Sequence, residues 1–499
     1  MNSRIKSCIL IGILAPALHG QDTSLTVYSS ADPGGFDPQR YIDQQRNGNN
    51  PNAAWQVPGF GVVKQIREIN LKTGQNEVPF TDVAQFLDPT TVNFMDLTDP
   101  RTRVLEQSFK FDLVSTSKLL ERYLDKSITV SLNNGNGPSH QGTLLSSTQG
   151  KLVLKTDLGI KILPSDDAQI QLGDLPGGFL TKPTLLWLLD AKRDGKHRIR
   201  TTYQTGGLTW RSDYNLVLNK DDTLADMTAW VTLLNLSGMS YPDTSLKLVA
   251  GDVQRIQPKI APPPTRRYQM DTMAAESSSF EEKAFFEYHL YTLPRKTSIP
   301  ANTTHQLTLF PAVQGMAVEK ELVYSPSGSM RTGRNPYTDP NFFPGGNDKI
   351  GVFISFKNDK KNKLGVPLPK GRIRTYKEDP ADGTLEFIGE DLIDHTARNE
   401  TVRIKLGDAF DVVGERTKIN FTMDKGRKTM TESFKIEIRN QKDQAQQVTV
   451  QERLYRWNTW KISERNLPFE KINADTIEWK VDVPSEGSKT IEYTVVYTW

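Results

Sequence analysis

The sequence is poor in the features that usually announce a chemistry. It has one cysteine in 499 residues, Cys8. No run of about eighteen apolar residues occurs, so no membrane-spanning helix is expected. Charge of one sign is missing too: 62 Lys and Arg stand against 59 Asp and Glu, a net charge of +3. Nucleic-acid affinity comes from concentrated cations, so nucleic acid is not an expected partner. Gly-x-Ser-x-Gly is absent; the nearest approach, Gly238-Met239-Ser240-Tyr241-Pro242, ends in Pro where a nucleophile elbow needs Gly. There is no His-Glu-x-x-His and no phosphate-cradling Gly-x-x-x-x-Gly-Lys. His140, His197, His289, His305 and His395 are scattered singly, none at metal-ligand spacing from another. Neither a metal nor a cofactor is expected, and no residue is assigned a catalytic role.

Carboxylates do come in pairs: Glu390-Asp391, Asp408 with Asp411, and Asp221-Asp222. A glycosidase needs two carboxyls about 5 to 10 Å apart across a cleft. Adjacent residues on a strand point to opposite faces, and Asp221-Asp222 follows Asn219-Lys220 as a hairpin turn would. These pairs read as solvated acids.

The N-terminus reads as an export signal over residues 1–20. Arg4 and Lys6 precede an apolar run, Cys8 to Leu18, that is too short to span a bilayer, and small residues follow. Cleavage fits after Ala15-Pro16-Ala17 or after Gly20. It would remove Cys8, leaving no thiol for a disulfide or a thiolate zinc site. It would also take the net charge from +3 to +1 through the loss of Arg4 and Lys6.

What the sequence has in abundance is a two-residue period. Thr401 to Leu406, Ile350 to Phe356, Phe434 to Ile438 and Ile477 to Val483 place apolar side chains on one face and polar ones on the other. Turn chemistry separates such runs, as in Lys72-Thr73-Gly74-Gln75 and Asp379-Pro380-Ala381-Asp382-Gly383. The fold class is mainly β, a multi-domain β-sandwich architecture. One helix is predicted, Ser117 to Lys126, with Leu119, Leu120, Tyr123 and Leu124 on one side. The strands after it, within 125–175, predict a small Sm/SH3-like barrel as an insert. An N-terminal β domain is expected over 21–124 and a large β-sandwich unit over 195–499. Two stretches, 257–283 and 325–348, are rich in Pro, Ser, Gly or Asn and are expected to be solvated linkers. Ala229 to Gly238 and Phe434 to Asp443 share a faint likeness: a strand, an Asn, a turn. Two sheets built on one plan would produce it.

Eight tryptophans remain to be placed. Trp230 and Trp479 lie in apolar strands and are expected in the core. Trp457 and Trp460 sit among polar neighbours just past a strand, where an exposed pair could stack on a sugar or meet a protein partner.

Several phrases resemble a known family. Thr202 to Tyr214, with its Tyr-Gln-Thr-Gly-Gly-Leu-Thr-Trp core, is similar to the signature of the bacterial domain of unknown function 4139, whose members include mucoidy inhibitor A-like proteins. Leu233 to Gly238 followed by Leu246-Lys247-Leu248, Pro369 to Tyr376 and Ile436 to Lys442 resemble its later strands. Asn76 to Val83 with Asp88-Pro89-Thr90 resembles its companion domain. Relatives of the mucoidy inhibitor type often carry a long coiled coil between the two parts, where this chain has the small insert. The resemblance implies an exported, β-rich envelope protein and brings no catalytic residues. The expected function is therefore a non-catalytic envelope protein acting through protein contacts, periplasmic, secreted or associated with the outer membrane. A carbohydrate-binding module or glycan-acting enzyme is the alternative, resting on Trp457 and Trp460. An outer-membrane β-barrel is a further alternative, because Ile491, Tyr493, Val495, Tyr497 and Trp499 alternate down to a terminal aromatic. Most other strands are too short and too charged for a barrel. The C-terminal strand is therefore expected inside a sandwich, with Trp499 capping its core.

Overall fold

Strands form where the two-residue period runs, because alternate side chains can then enter a shared core while the backbone hydrogen-bonds sideways. The computed structural model describes residues 22–29, 31–46, 56–110, 116–148, 150–173, 182–251, 281–285, 288–327, 335–343 and 347–499. The expected export signal and Trp55 lie outside these residues. The class is mainly β, and the described residues include two short α-helices, Pro38–Arg46 and Thr116–Arg122. Among the described residues no helix is long and apolar enough to cross a membrane.

Two sandwiches organise the chain. In the first, Asp22–Ser29 lies between Tyr241–Ala250, to which it is parallel, and Gly59–Leu71. Gly59–Leu71 then pairs with Gly195–Thr205. Strands from residues 22–71 and from 195–250 thus share one sheet. The chain turns at Gly206-Gly207 and continues as Leu208–Leu218 in the opposite sheet, beside Leu224–Asn235, which in turn pairs with Thr303–Ala317. Gly207 has φ +78°, and a Cβ there would stand 2.7 Å from the Leu236 backbone, so the crossing needs glycine.

The second sandwich repeats these pairings one for one. Glu319–Tyr324 lies between Gln446–Arg453, again parallel, and Lys349–Lys357. The crossing strand is here unbroken: Thr401–Asp424 pairs through its first half with Lys349–Lys357 and through its second with Thr429–Asn440. Thr429–Asn440 then pairs with Gly487–Thr498, as Leu224–Asn235 pairs with Thr303–Ala317. The faint likeness of 229–238 to 434–443 is the sequence trace of this repeated plan.

A buried asparagine sits at the same place in both halves. Asn235 Nδ2 donates to the Met239 and Pro300 carbonyls, both at 2.9 Å, and its Oδ1 accepts the Ser237 N–H at 3.1 Å. Asn440 Nδ2 donates to the Gln444 carbonyl at 2.8 Å and the Pro484 carbonyl at 2.9 Å, and its Oδ1 accepts the Lys442 N–H at 3.1 Å. Both asparagines are fully buried. Each ties the turn that leaves its strand to the Pro-containing segment that returns beside it, satisfying carbonyls that no ladder reaches.

The C-terminal strand runs inside the second sandwich. Ile491, Tyr493, Val495 and Tyr497 are buried among Phe434, Ile436 and Trp479, and Trp499 packs against the edge of that core. Trp230 is half-buried on Leu224–Asn235, whereas Trp479 is buried as expected.

Residues 127–171 form a separate five-stranded antiparallel sheet over their own core of Leu120, Ile128, Val130, Leu144, Leu152 and Leu154. Its strand order is Ala168–Gln171, Ser127–Leu132, Ser139–Thr148, Lys151–Thr156, Gly159–Pro164. The predicted helix ends early, at Arg122. Leu124 leaves it to bridge Leu144, and Asp125 turns to φ 62° while its N–H donates to the Leu144 carbonyl at 2.8 Å.

The two expected linkers need revision where they are described. Of 257–283, residues 257–280 lie outside the described residues, and the end joins a strand, Glu281–Phe285, paired with Tyr288–Thr292. Of 325–348, residues 335–343 are docked rather than solvated: Tyr337 stacks on Phe342 at 4.9 Å, and Phe343 packs on the second core. The aromatic content of Tyr337, Phe342 and Phe343 outweighs the Gly, Pro and Asn around it.

Replacing Asn235 or Asn440 by Ala should lower stability by about 1–3 kcal/mol, since each leaves buried carbonyls unpaired. The exposed Asn458→Ala should change little. Urea unfolding midpoints check this, and equal effects at all three positions would contradict the clamp.

Candidate functional site

Trp457 and Trp460 follow the strand Gln446–Arg453, and both are half-buried against the second core rather than standing free. Trp460 Nε1 donates to the Ala474 carbonyl at 2.8 Å, and the Lys471 ammonium lies 4.7 Å from its ring centroid. One face of that ring is therefore already covered by a cation.

The residue before them explains their placement. Arg456 is fully buried, with its guanidinium 2.7 Å from Glu432 and within 2.6–2.9 Å of the carbonyls of Tyr337, Asp339 and Phe342. A second pair lies in the same core, Arg416 Nη2 to Glu452 Oε1 at 2.6 Å, with the Arg416 guanidinium 3.9 Å above Phe434. Burial pushes the Glu452 carboxyl above its ordinary value, and Arg416 opposes that shift. Each cation has a hydrogen-bonded anion, the condition under which buried charge is tolerated. These groups staple the 335–343 segment to the second sandwich and are closed to solvent. The stretch Arg453 to Lys461 mixes Leu454, Tyr455, Trp457 and Trp460 with polar residues and shows no two-residue period, so it gave no sequence signal that Arg456 points inward.

The histidines are spread over separate elements. His140 Nδ1 lies 3.2 Å from Lys161 Nζ, and His289 Nδ1 lies 2.9 Å from Glu282. His197 is fully buried: Nδ1 meets Asp96 Oδ2 at 2.5 Å and Nε2 meets the Arg193 carbonyl at 3.0 Å. Asp96 also accepts the Thr98 and Asp99 N–H groups and the Thr102 hydroxyl. Burial raises the Asp96 carboxyl, but these bonds outweigh it and hold it below the usual carboxylate range. The pair locks the turn after Leu87–Asp96 onto Gly195–Thr205. Of the carboxylate pairs, Asp222 stands in a hairpin turn at φ 58°, as its sequence context suggests, and holds Lys320 and Lys377. Among the described residues no group of three or more His, Cys, Asp and Glu is placed to hold a metal.

The surface differs at the small five-stranded sheet. Thr156 and Gly159 close a tight hairpin with Leu158 at its tip, 91% exposed. Along Gly159–Pro164, Leu163 turns into the core while Ile160 and Ile162 face outward, 68% and 65% exposed. Among the described residues this strand pairs on one side only, with Lys151–Thr156. An ordinary exposed edge is blunted by outward charges. Here the outward positions are isoleucines, next to an unpaired backbone edge. The run Ile160-Lys161-Ile162-Leu163, apolar on both faces, carried that signal in the sequence.

Residues 199–499 match the family described as Domain of unknown function (DUF4139). No curated protein and no solved structure matches the chain. The matched span starts within Gly195–Thr205 and covers the whole second sandwich, but only the later strands of the first.

The Asp96 site sets a pH expectation. A carboxyl depressed in the folded chain stabilises it above the unfolded value, about 3.9, and that share is lost as pH falls through the folded value. Asp96→Asn should therefore lower the urea midpoint at neutral pH and flatten the loss of stability below about pH 4. An acid limb as steep as the unsubstituted protein's would show that Asp96 does not drive it.

Proposed function

Because the chain belongs to the DUF4139 family, we propose for this member an exported, non-catalytic cell-envelope role exercised through protein contacts. Export is supported by the basic start at Arg4 and Lys6 and the apolar run Cys8 to Leu18. The observation that carries protein contact is the open edge Gly159–Pro164 with Leu158, Ile160 and Ile162 exposed beside it. Such an edge offers an incoming strand both main-chain hydrogen bonds and side-chain pockets, the physics of β-augmentation. The insert that presents it is read as an Sm/SH3-like barrel; the helix before the strands and the order of the five support that reading. Likeness of shape brings no RNA-binding function with it.

A glycan reading rests on Trp457 and Trp460, and the Lys471 ammonium over Trp460 leaves it less ring face to offer. Retention on glycan resins that is lost in Trp457→Ala/Trp460→Ala would favour that reading.

A photo-crosslinking residue at position 160 should give a discrete adduct in intact cells, and one at the exposed turn position 425 should not. Ile162→Asp should abolish the adduct without moving the melting temperature. The protein recovered from the envelope should have lost its first 17 to 20 residues by mass. No adduct at 160, or one indifferent to Ile162→Asp, would contradict the protein-contact reading.

A further inference from the structure

A cleft of about 240 Å³ opens where the second sandwich meets the sheet of the first that holds Leu208–Leu218, Gly371–Glu378 and Leu385–Ile393. Its lining is mixed: Leu218, Val352, Ile354, Ile388 and Leu406 form an apolar part, and charged side chains form much of the rest. That volume exceeds the roughly 150 Å³ of an apolar cavity known to hold benzene.

The mouth of the cleft is charged. Asp222 places one carboxylate oxygen against Lys320 Nζ, at 2.7 Å, and the other against Lys377 Nζ. Lys320 comes from Glu319–Tyr324 in the second sandwich, and Lys377 from Gly371–Glu378, which pairs with Leu208–Leu218 in the first. Both lysines stay about one-third exposed. Asp408, also at the mouth, is paired with Lys405 at 2.8 Å. Two ammonium groups therefore share one carboxylate, and one positive charge is left over. Each ammonium has three N–H donors, of which Asp222 takes one. An apolar slot under a mouth with spare cationic donors is complementary to a molecule with an alkyl body and an anionic end.

We propose that this cleft is a binding site for a medium-chain alkyl carboxylate, its chain against Ile354 and Leu406 and its carboxylate between Lys320 and Lys377. The site is separate from the Gly159–Pro164 edge and stands without the function proposed for it. Recognition divides between the parts: the walls select for an unbranched apolar chain, and the lysines select for the anion over its neutral analogue.

The test is calorimetric titration of sodium octanoate and of octanol into the full chain. Octanoate should bind saturably at one site and raise the melting temperature, and octanol should bind at least tenfold more weakly. Lys320→Gln and Lys377→Gln should each weaken octanoate at least tenfold. Because these variants also loosen the Asp222 staple, Leu406→Trp serves as a second probe, filling the slot while leaving the staple intact; it should abolish binding. Three results would overturn the site: no saturable octanoate binding, equal affinity for octanol, or octanoate binding that survives Leu406→Trp.

Discussion

A side-chain amide buried at the end of a strand holds each sandwich closed. Where Leu224–Asn235 and Thr429–Asn440 stop, the chain must leave one sheet and later return beside its own exit. The return passes through Pro300 or Pro484, and proline has no N–H to contribute to a ladder. Asn235 and Asn440 supply two donors and an acceptor to those orphan groups, at matching distances in the two halves. The residues two places after the prolines, Asn302 and Glu486, both take positive φ, 57° and 46°. The agreement reaches from pairing order down to single dihedrals. A third buried asparagine, Asn358, does similar work, donating to the carbonyls of Val366 and Ala397 at 2.8 and 3.0 Å.

Charge is spent differently in the two halves. The first sandwich buries His197 on Asp96 to fix a turn, and the second buries Arg416 on Glu452 and Arg456 on Glu432. Burying an ion pair seldom adds much stability over an apolar replacement, but breaking one leaves a lone charge and costs several kcal/mol. Such pairs specify which loop lies where. Arg456 does so for residues 335–343.

Sequence pattern made the strands legible and left their partners obscure. Alternation marked Thr401 to Leu406, Ile477 to Val483 and the C-terminal strand, because a period of two is a local property. Nothing local says that Asp22–Ser29 runs parallel to a strand more than two hundred positions on, so the expected limits at 124 and 195 missed the sheet shared by 22–71 and 195–250. Composition misjudged 335–343, because a few aromatics and an inward arginine decide docking more than average polarity does. The outward isoleucines of Gly159–Pro164 were in plain view, but their meaning depends on that strand being at a sheet edge, which only the pairing reveals.

The chain is a doubled scaffold that carries one small sheet with an apolar edge, open among the described residues. Amide hydrogen exchange tests that most directly. In the purified chain, the N–H groups of Ser237 and Lys442 at the asparagine turns should be among the slowest to exchange, and those of Ile160 and Ile162 among the fast ones. On adding envelope extract, the amides of Ile160 and Ile162 should slow. Strong protection of the Ile160 and Ile162 N–H groups in the purified chain would mean that the edge is already covered, and would contradict this reading.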